Sequence, residues 1–313
     1  MSILIVGAGA TGGFFGARLA QAGREVTFLV RPQRKALLAT RGLRITGPDG
    51  KSEVTRPRLV TADELAGPCD VVLITVKATA LAPVIDEIGP AVGPGTAIVP
   101  VLNGMGHLDP LNAAFGADRV LGGVAMVAVQ LDPDGGIVAL NGTATLRTGA
   151  QDGQRTPVVE RAAGQLSGAG FDFGVSDAII AEMWSKWAFI ASASAATCLL
   201  GGTVGEIAAA EGGERSVRAL IDETQAVARA AGYPLPERSV ANMVATLTAA
   251  GSPFTTSLYR DLRAGRPVEV EPVLGDLIAA ARKGDVLTPL LDAATVALRV
   301  HQARQGRSAG QPV

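Results

Sequence analysis

Residues 2–13 read "SILIVGAGATGG". An apolar run leads directly into Gly7, Gly9 and Gly12, so a buried strand gives way to a tight turn and then to residues that can open a helix. In that setting the G-x-G-x-x-G spacing is a dinucleotide-binding fingerprint. The glycines permit the turn and let a pyrophosphate approach the backbone at the helix N-terminus. Gly7, Gly9 and Gly12, with the intervening Ala10 and Thr11, are therefore the candidate cofactor-binding residues. A merely tight strand-to-helix turn is the competing reading.

The second strand bears on which dinucleotide. About twenty residues past the last glycine, NAD-specific sheets carry an acidic residue for the ribose hydroxyls. Here that place is taken by Arg31, in "FLVRPQRK", with Arg34 and Lys35 beside it. A cluster of cations fits a 2′-phosphate and favours NADP over NAD, against the alternative of a solvated basic loop.

The rest of the first half alternates strand-like and helical runs. "EVTFLVR", "CDVVLITVKA" and "TAIVPVLNG" are separated by "QRKALLATRG" and "LAPVIDEIGPAV", the pattern of βαβ units with a parallel sheet. Between residues 122 and 174, short runs with Gly, Asp and Asn turns predict antiparallel or mixed strands that finish the sheet. Beyond about Ser176 the strand signal fades, and "ERSVRALIDETQAVARAAG" and "TPLLDAATVALRVHQARQ" repeat apolar residues every three or four positions. The expected architecture is α/β: an N-terminal Rossmann-type NADP-binding domain over 1–176, followed by an all-helical C-terminal domain over 177–305. The polar residues 306–313 are expected to form a disordered tail.

Composition narrows the function classes. With 313 residues, a net charge of −1 and 48% apolar residues, the chain reads as a globular protein with no basic excess for nucleic acid. Cys69 and Cys198 are far apart, and His107 and His301 are the sole histidines, so neither a disulfide framework nor a metal site is expected. No signal peptide is read in the first residues and no apolar stretch is long enough for a bilayer, and the widely separated cysteines make a reducing cytoplasm the expected compartment.

Between Glu182 and Glu206 the one ionisable cation or carboxylate is Lys186, flanked by Trp184, Trp187, Phe189 and Ile190. A lysine can reach water from a helix edge by extending its stem. A desolvated ammonium kept for chemistry is the costlier alternative. Three other stretches carry polar groups in telling places. Lys77 and Asn103 follow predicted parallel strands, at the carboxyl ends where open α/β sheets bind ligands. Ser257 and Glu269 lie in "SLYRDLRAGRPVEV" of the second domain. Taken singly, each has an ordinary structural explanation.

Taken in order, they resemble the ketopantoate reductase (2-dehydropantoate 2-reductase) family. The series runs from the glycine motif and Arg31 through "VK" at 76–77, "NGMG" at 103–106, Lys186 and "GEI" at 205–207. It ends with Ser257, Asp261 and Glu269, followed by "LGD". The resemblance implies NADPH-dependent reduction of a 2-oxo acid, with Lys186 as general acid and Glu269 at a substrate hydroxyl. It further implies Asn103 and Lys77 near the nicotinamide and Ser257 at the substrate carboxylate. The chain departs from the family where asparagines bind substrate, with Ile190, Ser194 and Val204, and has Ala80 where a cofactor-side glutamine is usual. Ser194 is carried as a substrate-binding candidate. The expected partner is a small 2-oxo acid, 2-dehydropantoate first; a homodimer is left open, and neither nucleic acid nor membrane is expected. The alternatives are a relative reducing a less polar ketone or an imine, and a non-catalytic NADP-binding sensor.

Overall fold

The computed structural model describes residues 2–309. The chain divides into two units, one formed by residues up to Leu102 with His107–Ile180, the other by Asn103–Gly106 with residues from Ala181 on.

The first unit begins with β1 (Ser2–Val6), α1 (Ala10–Gln21), β2 (Glu25–Leu29), α2 (Pro32–Arg41), β3 (Leu43–Thr46), β4 (Ser52–Thr55) and β5 (Arg58–Val60). It continues with β6 (Val71–Ile74), α3 (Leu81–Glu87), β7 (Ala97–Pro100), α4 (Leu108–Phe115), β8 (Gly122–Leu131), β9 (Ile137–Gly149), α5 (Pro157–Leu166) and β10 (Asp172–Val175). One sheet has the order β5-β2-β1-β6-β7, and all of its pairs are parallel. Parallel strands covered on both faces read as unbroken apolar runs, and every residue of β6 and β7 is buried. Phe15 of α1 and Phe28 of β2 are fully buried in the core, each contributing about 2–3 kcal/mol of apolar burial.

The strands after residue 122 do not extend this sheet. They form a second one, β10-β9-β3-β4, with β8 antiparallel to β9. β3 pairs parallel with β9 through Ile45 and Ile137 and antiparallel with β4, so a connection between two strands of the first sheet supplies two of the five strands of the second. Asp132 closes the long β8–β9 hairpin by accepting the Gly136 amide at 2.8 Å and pairing with Arg44 at 2.6 Å.

The second unit contains helices and a π-turn, with no strand among its described residues. Its elements are α6 (Ile179–Leu200, from Ala181 on), α7 (Val204–Ala209), α8 (Gly213–Ala230), α9 (Glu237–Leu247), α10 (Ser257–Arg263), the π-turn Glu271–Gly275, α11 (Asp276–Lys283) and α12 (Pro289–Ala309). α6 is apolar on all sides, as a central helix must be, and Ala188, Ala191, Ala193 and Ala195 are fully buried. α8 turns Val217, Leu220, Ile221, Thr224, Val227 and Ala228 inward at helical spacing. The expected tail is corrected by α12, which continues through Ala309 because extending a formed helix adds one backbone bond per residue ordered. Residues 310–313 of that expectation lie outside the described residues. No helix among the described residues is long and apolar enough to cross a membrane.

Candidate active site

The glycine motif occupies the turn from β1 into α1. Gly7 has φ of 94°, and its amide donates to the Leu29 carbonyl at 3.0 Å. A Cβ on Gly12 would lie 2.1 Å from Thr75 Oγ1 and 2.3 Å from the Gly7 carbonyl oxygen, so no side chain fits there. Thr75 Oγ1 is fixed in that place by donating to the Val6 and Gly7 carbonyls, at 2.8 and 3.0 Å. At Gly9, by contrast, a Cβ would meet open space. Gly9 caps α1 without a side chain, and the first turn, with Ala10 and Thr11, holds no acidic residue. The helix N-terminus thus offers unencumbered N–H groups and the positive end of its dipole, which suits a pyrophosphate.

Of the three cations after β2, only one is uncommitted. Arg34 donates to the Ala8 carbonyl at 3.0 Å and the Gly135 carbonyl at 2.9 Å, bracing the glycine loop. Lys35 is ion-paired with Glu64. Arg31 caps α2 and is exposed, its carbonyl accepts the Lys35 amide at 2.9 Å, and its guanidinium has neither hydrogen bond nor ion pair among the described residues. The expected cation cluster thereby narrows to Arg31. Lys77 is exposed and caps the short turn that follows β6.

The remaining candidates belong to the second unit, where α6 supplies Lys186 and Ser194. Positions 186, 190, 194 and 197 form one stripe along a helix. Lys186 keeps some surface as a residue, yet its ammonium is desolvated and has neither hydrogen bond nor ion pair among the described residues. Burial lowers its pKa to about 8. Ile190 follows one turn on. Ser194 is fully buried, and its hydroxyl has no hydrogen-bond partner among the described residues. Ser192 faces the other way and bonds to Thr224 of α8 at 2.9 Å.

Thr197, at the end of the stripe, contacts Thr256, whose hydroxyl caps α10 by accepting the Tyr259 amide. Ser257, the first residue of α10, is exposed next to that cap. Val204 is buried, and its amide donates to the Phe254 carbonyl at 3.1 Å, holding the segment before Ser257 against α7. Asp261 pairs with Arg266 at 2.8 Å, a structural use of that part of the motif. Glu269 stands between buried Val268 and Val270, just ahead of the π-turn.

Asn103 lies in the four-residue segment that groups with the second unit, although it follows a strand of the first. Gly104 explains the seat. It has φ of 76°, and a Cβ there would lie 2.1 Å from the Pro272 carbonyl oxygen of the π-turn. Trp187, the neighbour of Lys186 in sequence, donates its indole N–H to the Val273 carbonyl at 2.9 Å. Nothing local in the sequence announces either contact, since both depend on where the π-turn folds back.

A family model described as "Ketopantoate reductase PanE/ApbA" matches residues 3–153, and its C-terminal counterpart matches residues 178–302. An uncharacterised oxidoreductase of Bacillus subtilis, YkpB, is 32% identical over 97% of this chain and 100% of its own. A 2-dehydropantoate 2-reductase of Mesorhizobium japonicum is 30% identical over 96% of this chain and 97% of its own. The crystal structure of 2-dehydropantoate 2-reductase from Methylococcus capsulatus superimposes with a TM-score of 0.84 at 30% identity, covering 100% of this chain and 99% of that one.

Proposed function

The chain belongs to the ketopantoate reductase family, and on that premise we propose that it reduces the keto group of a 2-oxo acid at the expense of NADPH. The observation that carries this reading is Lys186, a desolvated ammonium with no hydrogen bond or ion pair among the described residues, its pKa lowered by burial to about 8. Such a group gives up a proton near neutral pH, and its charge stabilises a developing alkoxide most where water is excluded.

The N-terminus of α1, with Gly7, Gly9, Ala10, Thr11 and Gly12, holds the pyrophosphate. Arg31 takes the 2′-phosphate, and Lys77 and Asn103 orient cofactor and substrate. When bound, NADPH supplies the hydride that converts the keto carbon to an alcohol carbon. Lys186 Nζ passes its proton to the keto oxygen, so one hydride and one proton turn the 2-oxo acid into a 2-hydroxy acid. Ser257 and Ser194 donate to substrate oxygens, and Glu269 accepts from a substrate hydroxyl.

2-Dehydropantoate, reduced to (R)-pantoate for pantothenate synthesis in the cytoplasm, is the leading substrate. A second reading, a 2-oxo acid with a less hydroxylated side chain, is favoured by Ile190, which offers no hydrogen bond one turn from Lys186. The test is NADPH and NADH oxidation by the purified protein with a panel of 2-oxo acids. Turnover with NADPH preferred supports the reading; no turnover with any acid overturns it in favour of a nucleotide-binding sensor.

A further inference from the structure

α6, the Asn103 loop and the segment carrying Glu269 all meet at the π-turn Glu271–Gly275. The turn is defined by the Asp276 amide donating back five residues to the Glu271 carbonyl. Turns of this kind are wider than α-helical ones and recur at functional sites. Three attachments hold this one. Arg299 grips Glu271 through two hydrogen bonds, at 2.8 and 2.6 Å. The Pro272 carbonyl faces Gly104, where only a hydrogen fits. The Val273 carbonyl accepts the buried Trp187 indole N–H at 2.9 Å.

The last attachment differs in kind, because it reaches α6. Trp187 follows Lys186, so their side chains leave the helix about 100° apart. Packing on all sides holds α6, and the Trp187 bond adds a directional anchor to it at the residue next to Lys186. The same carbonyl belongs to the turn that seats Asn103 on one side and continues the chain from Glu269 on the other.

We propose that Trp187 is a positioning residue, whose hydrogen bond to Val273 holds Lys186 in one frame with Asn103 and Glu269. The inference rests on the reductase reading above. A structural aromatic would serve packing alone, and phenylalanine would replace it at some cost in stability. A positioning donor instead governs proton transfer, where a displacement of about 1 Å costs up to about a hundredfold in rate.

The experiment compares wild type with Trp187→Phe and with a protein carrying 3-benzothienylalanine at 187, which keeps the fused rings and lacks the donor. Melting temperature, NADPH affinity, kcat, KM and the pH profile of kcat are measured on each. We expect kcat to fall about 10- to 100-fold in both variants, with NADPH affinity within about twofold. The alkaline limb of the profile should move upward from about 8 as water reaches Lys186. If Trp187→Phe does not fold, the isosteric variant carries the test. A folded variant with wild-type kcat and an unmoved alkaline limb overturns the positioning role, whatever its melting temperature. Wild type inactive with every 2-oxo acid overturns the reductase reading, and this inference with it.

Discussion

The hydroxyls of Thr197 on α6 and Thr256 at the start of α10 lie 3.3 Å apart in a buried setting. This contact ties the turn that carries Ser194 to the helix that begins with Ser257. Thr197→Val keeps the shape and removes the hydroxyl. The account predicts a stability loss of about 1 kcal/mol and a rise in KM for the 2-oxo acid of about three- to tenfold, with kcat nearly unchanged. An unchanged KM would separate Ser257 from substrate binding.

Arg31 should set cofactor preference alone, because Arg34 and Lys35 have other partners. A guanidinium–phosphate pair is charge-assisted and worth roughly 1.5–3 kcal/mol, so Arg31→Ala should weaken NADPH binding by about 10- to 100-fold. NADH binding should stay within about twofold, and Lys35→Ala should leave both intact. Equal losses for the two dinucleotides in Arg31→Ala would contradict the assignment.

How much of this was legible in the sequence follows the range of the interactions. The glycine motif is local, and Lys186 stands out because its neighbours are apolar. Arg31 was legible as one of three cations, but its singling out was not, since Glu64 and the carbonyls of Ala8 and Gly135 arrive from elsewhere in the chain. The second sheet leaves little trace because β3 and β4 are only four residues long, β4 carries a single apolar residue, and their partner β9 lies about ninety residues further along the chain. The grouping of Asn103 with the helical unit was missed because its seat is a π-turn, whose wide spacing leaves no periodic trace in residues 271–275.

A lysine held below its ordinary value is a stability liability. Below about pH 8 both folded and unfolded chains carry the proton, so the desolvation penalty is fully present. Between about 8 and the free value of 10.5 the folded chain loses its proton first, so stability rises with pH. Lys186→Met should therefore be more stable than wild type at pH 7, by an amount on the order of 1–3 kcal/mol. That advantage should fade as pH rises through this window. Denaturant titrations across the window check it, and a less stable Met variant at pH 7 would contradict the burial.

Ile190 and the unpartnered Ser194 hydroxyl bear on the substrate. Trimethylpyruvate matches 2-dehydropantoate with a methyl in place of the hydroxymethyl group. Both acids should be turned over, with trimethylpyruvate at an equal or higher kcat/KM. Ile190→Asn should shift the ratio toward 2-dehydropantoate by about tenfold, the worth of one buried hydrogen bond. A preference of wild type for 2-dehydropantoate by about a hundredfold or more would show that Ile190 leaves hydroxyl recognition intact.

The central claim is that Lys186 delivers the proton. The most direct measurement is kcat and NADPH affinity for Lys186→Ala beside wild type, with the wild-type kcat followed across pH. The account predicts NADPH affinity within about twofold and kcat lower by roughly 10²–10⁴-fold. Wild-type kcat should decline above about pH 8. A Lys186→Ala protein that retains most of its kcat would contradict the account and reduce Lys186 to a lysine extending its stem toward water.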